Sequence, residues 1–389
     1  MADIFDKALT LNHRDVAGLA LDTCFKIKEG YSILFNTNDQ KVYSWNEKEL
    51  LWTCVKEEYH LRRSCFDNIV NKCSEIMLNL ISEANILEGD AKNELLLKID
   101  RITRLISRLG TVSFKSSVWK ELNEQVSTKS MNAVYELPLN DGSMFNIFTH
   151  ERRTRTLNDH YTYTLNASIT DSVKSVAPDE TSTDTHKQIW SFLSFLMNGD
   201  EDMVLFLIKT LGIYIGGNMD DHSFLILTGK SEYNKEILLS WMKWILNFSC
   251  MRCPPELLFG PPYPGLASRE FANVLTHRLI YSLAITPESP VSPEKIKIFM
   301  GETSCYSPKS ACYLIIGFDD LPKFMDPNVK TSKCIRTINV NDKNFDDKSL
   351  IQSFQTPIYA DTFLTMLAMG TYGGLPVIDE FIQSKEVCQ

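Results

Sequence analysis

Gly229 and Lys235 are separated by five intervening residues, the spacing of the first glycine and the lysine in a phosphate-binding loop, GxxxxGK[ST]. They follow the apolar run "FLILT" (224–228) and precede Leu238, Trp241, Met242 and Ile245, which recur at helical spacing. In such a loop the backbone N–H groups curl around phosphate oxygens, the lysine neutralises the β and γ phosphates, and the hydroxyl ligates magnesium. Here Asn234 takes the second glycine position and Glu236 the hydroxyl position. Asparagine tolerates left-handed backbone angles, so Asn234 is expected to turn the loop. A carboxylate at Glu236 competes with phosphate for the N–H groups of the helix start, or ligates magnesium itself. The cofactor these residues call for is ATP with Mg2+, held weakly or not at all. The neighbouring "GKS" (229–231) is out of register, because with Lys230 as the motif lysine the opening glycine falls on Phe224.

Other chemistry-bearing groups are less organised. Ten cysteines are irregularly spaced, and only Cys250 and Cys253 form a CxxC. A zinc ribbon needs four converging ligands, so free thiols in a reducing compartment are expected and no metal site is assigned. Arg152, Arg153 and Arg155, with His150, His160 and Tyr161 nearby, suit phosphate and base contact or simply a hydrated strand face. Arg101, Arg104 and Arg108 form a row on a helical pattern whose other face carries Leu95, Ile99, Ile102 and Ile106; such a row can touch phosphate, and more often is the solvated side of an amphipathic helix. No GxSxG nucleophile elbow is present.

The elements that must position these residues fall into three segments. At 389 residues, with 44% hydrophobic and 23% charged, the chain has material for two or three globular units. Residues 1–169 mix short strands with a long helical middle, giving an α+β domain; "KVYSWNEKELLWTCV" alternates aromatic and polar residues about a turn, and Asp141-Gly142 signals a second hairpin. Residues 170–222 read as a polar linker and a helical pair, closed by Gly212, Gly216 and Gly217. Residues 223–389 carry the buried-strand runs "FLILT", "RLIYSLAI", "YLIIGF" and "IRTINV", the pattern of a doubly wound α/β sheet. The net charge of −9 does not advertise a general nucleic-acid binder, so any such contact needs a local patch. No membrane span and no apolar leader are read, and a soluble intracellular protein, cytoplasmic or nuclear, is expected.

The order of landmarks resembles the superfamily 3 primase–helicases of large DNA viruses, phages and plasmids, the poxvirus group among them. The residues that carry the resemblance are "VYSWNEKELLW", then "LPLNDGSMFNIFTHERRTRTLNDHYTYTL" with Asp159, Thr162 and Thr164, then "FLIKTLGIYIGG" and the strand into Gly229, across roughly residues 40–345. It implies a helical collar followed by a P-loop AAA+-like three-layer α/β/α domain, oligomeric, acting on DNA with other replication proteins. The family's primase domain has no counterpart here. By the same resemblance Glu288 stands nearest the magnesium-and-water strand, which here ends Ala284-Ile285-Thr286. Gly301-Glu302 occupies the place of a Gly-Gly-Asp, and Asp319 stands where an asparagine senses the γ phosphate, before Leu321-Pro322. Arg336 falls on the arginine-finger strand, near Lys333. Catalytic roles are thus expected at Glu288, Asp319 and Arg336, and cofactor contacts at Gly229, Asn234, Lys235 and Glu236. The reading is a helicase-like protein with impaired or lost ATPase, acting as a DNA-binding, assembly or regulatory partner. An active helicase with unusual motif residues, and a non-enzymatic α/β interaction protein, are the alternatives.

Overall fold

In the computed structural model the structure describes residues 2–128, 131–132, 136–217, 223–258, 274, 277–283, 313–320 and 335–371. They divide into two units, residues 1–133 with 156–162, and residues 134–155 with 163–389. The chain is mixed α/β, and no described helix is long and apolar enough to cross a membrane.

The N-terminal unit opens with helices α1 (Ala2–Ala8) and α2 (His13–Ala20); Asn12 caps α2 by accepting the Arg14 N–H. A π-helical turn, Leu21–Phe25, follows, then short strands β1 (Lys26–Ile27) and β2 (Gly30–Tyr31). Strands β3 (Ile33–Asn36), β4 (Lys41–Asn46) and β5 (Leu51–Cys54) form an antiparallel meander. Trp45 lies opposite Trp52 in it, as the aromatic alternation leads one to expect. Helices α3 (Glu58–Ala84), α4 (Asp90–Leu109) and α5 (Val112–Gln125) come next, and strand β6 (Ser127–Thr128) returns parallel to β3. The core is built from Phe66, Ile69 and Cys73 of α3, Ile102, Leu105 and Leu109 of α4, and Phe114, Val118 and Leu122 of α5. Arg101, Arg104 and Arg108 are all exposed on the opposite side of α4, the solvated row the sequence suggests.

The C-terminal unit begins with a small antiparallel meander of β7 (Leu137–Pro138), β8 (Ser143–Phe145) and β9 (Arg152–Thr154). Its first turn is made by Gly142 at φ 82°, while the Asp141 carboxylate accepts the Ser143 N–H at 2.9 Å. Helices α6 (Asp184–Leu196) and α7 (Glu201–Gly216) are capped by Thr183 and Asp200, and Gly217, at φ 72°, ends α7. Residues 134–155 and 163–169, which the sequence reading groups with the N-terminal segment, lie in the C-terminal unit. Leu137, Leu165, Phe192 and Leu207 share one core with the sheet strands, because both collar helices bury their apolar stripes there. Within the expected linker Val173 is buried, the Thr170 N–H donates to Thr365 Oγ1 at 3.0 Å, and the His186 ring lies 2.9 Å from the Val176 carbonyl.

The sheet of this unit comprises β10 (Phe224–Thr228), β11 (Cys250–Arg252), β12 (Leu279–Leu283), β13 (Tyr313–Gly317) and β14 (Ile335–Asn339), in spatial order β11-β12-β13-β10-β14. Every pairing is parallel. Helix α8 (Glu232–Leu246) follows β10; α9 (Lys348–Ser353) and α10 (Pro357–Gly370) follow β14. Strands β12 and β13 are buried at every position, as unbroken apolar runs require. From β10 the chain leaves for the far edge at β11, whereas from β13 it crosses β10 to reach β14. Adjacent strands β10 and β13 therefore send their connections in opposite directions. That is a topological switch point, and in open α/β sheets the crevice beyond the carboxyl ends of such strands is where ligands bind.

Candidate nucleotide site at the carboxyl edge of the sheet

The turn leaving β10 is only Gly229–Ser231, since α8 already begins at Glu232. Gly229 has φ 125°, and a Cβ there would lie 2.4 Å from the Val340 carbonyl oxygen. Only glycine fits. Ser231 is the N-cap of α8, its Oγ accepting the Asn234 N–H at 3.1 Å, and Glu232 sits in the first turn where the helix dipole favours an acid.

This corrects the expected loop across 229–236. Asn234 does not turn a loop, and Lys235 and Glu236 are likewise inside α8. The reason is local: a serine followed by an acid and good helix formers is a helix start, and it wins over a longer excursion. The sequence signal lay in the "GKS" itself, whose serine is the cap.

Asn234 is wholly buried. Its Nδ2 donates to the carbonyls of Asn341 and Lys343, both at 2.8 Å, and its Oδ1 accepts the Phe345 N–H at 3.0 Å. One amide thereby rivets the segment after β14 to the first turn of α8. Two more bonds close the same seam: the Lys230 N–H donates to Asp342 Oδ1 at 2.6 Å, and Ser231 Oγ donates to Asn344 Oδ1 at 2.8 Å.

Lys235 reaches back beneath the turn into the switch-point crevice and is 2% exposed. Its Nζ donates to the Gly229 and Phe318 carbonyls, each at 2.6 Å, and lies 3.8 Å from the Asp319 carboxylate. The side chain is a crossbar joining the chain just past β10 to the chain just past β13. Burial pulls the ammonium below its ordinary pKa, while Asp319, Glu232 and Asp342 work in the other direction. Asp319 also accepts the Gly229 N–H through its backbone carbonyl, at 3.0 Å.

The structure thus brings Gly229, Asn234, Lys235 and Asp319 together. Glu236 turns elsewhere: it accepts from Ser240 Oγ at 2.9 Å and lies 3.7 Å from Arg252 on β11. It also lines a cavity of about 190 Å3 with Tyr233, Ile237, Trp241, Ile351 and Phe354, below the ~300 Å3 at which small-molecule pockets begin. Arg336 is the second residue of β14, paired in register with Leu225. It therefore sits about 10 Å of strand short of the carboxyl edge. It is 5% exposed, with its guanidinium 5.8 Å from the Tyr214 ring centre, which does not fit a finger extended to another subunit. Glu288, with Ala284-Ile285-Thr286, Gly301-Glu302, Leu321-Pro322 and Lys333, lies outside the described residues.

The basic cluster is also accounted for. Arg152 pairs with Asp141 and Arg153 with Glu136, while the buried Arg155 donates to the Leu139 carbonyl. His150 lies 3.1 Å from the Ala368 carbonyl, and His160 and Tyr161 belong to the N-terminal unit. Among the described residues no group of three or more His, Cys, Asp or Glu could hold a metal, and Cys250 and Cys253 are buried free thiols. Sequence reasoning missed Ser231, Asp342 and Asn344. The last two follow β14, the strand beside β10, so only the strand order could have pointed to them.

No family model and no curated protein matches the chain. Among solved structures it is similar to the apo C-terminal region of NrS-1. An A-form structure of that region is 12% identical, with a TM-score of 0.35, over 57% of this chain and 57% of that one. A further apo structure gives 12% and 0.35 over 65% and 71%. The chain spans 57% of the length of the first of these. Overlaps at this level do not bear on function, which rests on the geometry around Lys235.

Proposed function

We propose that the C-terminal unit is a superfamily 3 helicase-like, AAA+-like α/β/α domain whose nucleotide site is closed by its own side chains. On this reading the chain serves viral-type DNA replication as a DNA-binding, assembly or regulatory partner, and its ATPase is impaired or lost. The switch-point crevice, with Gly229 and Lys235 at motif spacing, supports descent from a nucleotide-binding fold.

The observation that carries the loss is that the groups a phosphate would need are already taken. The Lys235 ammonium is bonded to two carbonyls and the Lys230 N–H to the Asp342 carboxylate. Freeing three charge-assisted bonds costs about 1.5–3 kcal/mol each, so roughly 4.5–9 kcal/mol in all. That would turn a micromolar site into a millimolar one.

Calorimetric titration of the full chain with ATP, with and without Mg2+, tests this beside anisotropy of labelled single-stranded DNA. No saturation by ATP below the millimolar range, with DNA or protein association independent of nucleotide, is expected. Micromolar, magnesium-dependent ATP binding abolished by Lys235→Ala would overturn it. That outcome would favour a working ATPase, a reading kept alive by Lys235 and Asp319 facing each other across the crevice.

A further inference from the structure

Cys24 and Cys65 meet in the N-terminal unit, far apart in sequence and from different elements. Cys24 lies in the π-helical turn Leu21–Phe25, and Cys65 lies on α3. The Cys24 thiol donates to the Cys65 backbone carbonyl at 3.5 Å, which brings the two cysteines side by side. Their exposure differs in a useful way: Cys24 is half-buried, whereas Cys65 is 2% exposed in the core beside Phe66 and Ile69. A π-helical turn is a rare backbone form, often found where function requires a side chain at a particular place.

The surroundings also divide the labour between the two sulfurs. The hydrogen bond with Cys65 holds Cys24 below the ordinary thiol range, against the opposing effect of burial, and Asn68 adds a second bond in the same sense. The same bond and the same burial push Cys65 well above that range. Cys24, half-buried, is the thiol that a small oxidant reaches, and Cys65, in the core, is the protected one. A reactive cysteine beside a second, protected thiol is the arrangement of a peroxide-sensitive pair. Metal ligation is not an alternative use, since no group of three or more candidate ligands surrounds them among the described residues.

We propose that Cys24 and Cys65 form a reversible intramolecular disulfide, with Cys24 oxidised first by a hydroperoxide and Cys65 as the resolving thiol. In the first step the Cys24 thiolate attacks one peroxide oxygen. An S–O bond forms, the O–O bond breaks, and the departing hydroxide takes a proton to become water. Sulfur is oxidised to a sulfenic acid and peroxide is reduced. In the second step the Cys65 sulfur attacks the Cys24 sulfur. The S–O bond breaks, an S–S bond forms, and the Cys65 proton leaves with the hydroxyl as a second water. Two thiols and one hydrogen peroxide give one disulfide and two waters. A dithiol reductant reverses the change by exchange. The bridge closes a loop between positions 41 apart in sequence, fixing the π-helical turn to α3.

The test is peptide mapping of the full chain after hydrogen peroxide, with differential alkylation before and after reduction. Half-buried Cys54 of β5 is the internal control. Limited oxidant should give a Cys24–Cys65 cross-linked peptide, lighter by two hydrogen atoms and restored by dithiothreitol. In the reduced chain Cys24 should alkylate at least about threefold faster than Cys54, the margin left after a lower pKa reduces intrinsic nucleophilicity. With Cys65→Ser, Cys24 should stop at the sulfenic acid and be labelled by dimedone. With Cys24→Ser, Cys65 should remain fully reduced, which keeps the test open if the core substitution fails to fold. Recovery of both residues as free thiols while Cys54 is oxidised, or pairing of Cys24 with any other cysteine, would overturn the proposal.

Discussion

Two cations are buried at opposite ends of the same parallel sheet, and they are held in different ways. Lys235 lies past the carboxyl ends of β10 and β13, its ammonium donating to two carbonyl oxygens with a carboxylate 3.8 Å away. Arg336 lies near the amino end of β14, its guanidinium against the ring of Tyr214, which is in turn stacked on Tyr313 at 4.4 Å. The two are almost equally buried, at 2% and 5% exposure. The difference is what each would release on moving. Removing Lys235 leaves two carbonyls in the crevice where the topology would place a ligand, whereas Arg336 lies at the amino end of β14, away from that edge. A buried cation is therefore informative about function only through its place on the sheet.

The comparison is broken most directly by making the same change at both ends. Lys235→Met keeps most of the volume but strips the donor from Gly229 and Phe318, and unsatisfied buried carbonyls cost about 1–3 kcal/mol each. A loss of about 3–5 kcal/mol in urea unfolding is expected, and under the proposed closed site ATP binding should not change. A near-neutral effect on stability would mean that Lys235 is free in solution to meet a phosphate. The linkage has a definite sign as well. Burial depresses the lysine's pKa in the folded chain, so between that value and the unfolded ~10.4 the unfolded chain holds more protons. The stability of the wild type relative to Lys235→Met should therefore rise as the pH goes from neutral to alkaline.

Asn234→Ala comes next. Three bonds from one fully buried amide are lost, including both anchors of 341–343, and about 2–3 kcal/mol is expected. Hydrogen exchange should show the segment 341–345 opening while β10 and β13 keep their protection. If the segment stays protected, Asp342 and Asn344 are held by something other than this rivet.

How far the sequence exposed this arrangement can be read from these same residues. The parallel strands were legible because strands buried on both faces must be apolar throughout, and the α8 stripe because Leu238, Trp241, Met242 and Ile245 recur at helical spacing. Gly229 and Lys235 were found through spacing, which survives without knowledge of the fold. The loop itself was misread, since a motif template outweighed the capping signal of Ser231 followed by Glu232. Asp342 and Asn344 were illegible in principle: they meet the turn only because β14 pairs with β10 across more than 100 residues. Polarity marks 170–186 as a linker, while its anchor to α10, the Thr170 N–H on Thr365 Oγ1, joins positions 195 apart and has no local signal.

Arg336→Met removes the cation–π contact with Tyr214 among the contacts of its guanidinium, and a loss of about 1–2 kcal/mol is expected from that contact. Thermal unfolding monitored through tyrosine fluorescence would show it. A loss as large as that of Lys235→Met would place a second critical polar anchor at the amino end and dissolve the contrast.

The smallest effect is expected at Glu236→Ser. In the loop reading this change restores the magnesium hydroxyl and should raise nucleotide affinity. In the structure Glu236 is on the flank of α8, 3.7 Å from an Arg252 that is itself half exposed, and such a pair contributes under ~1 kcal/mol. The serine would stand beside Ser240 and the cavity lined by Tyr233 and Trp241, on the side of α8 that faces Arg252. Unfolding should shift by less than about 0.5 kcal/mol, and titration with Mg-ATP should remain flat. A tenfold gain in affinity would require α8 to unwind past Lys235 in the bound state. The closed seam through Asn234 and Asp342 would then be one of two conformations, with nucleotide paying for the other.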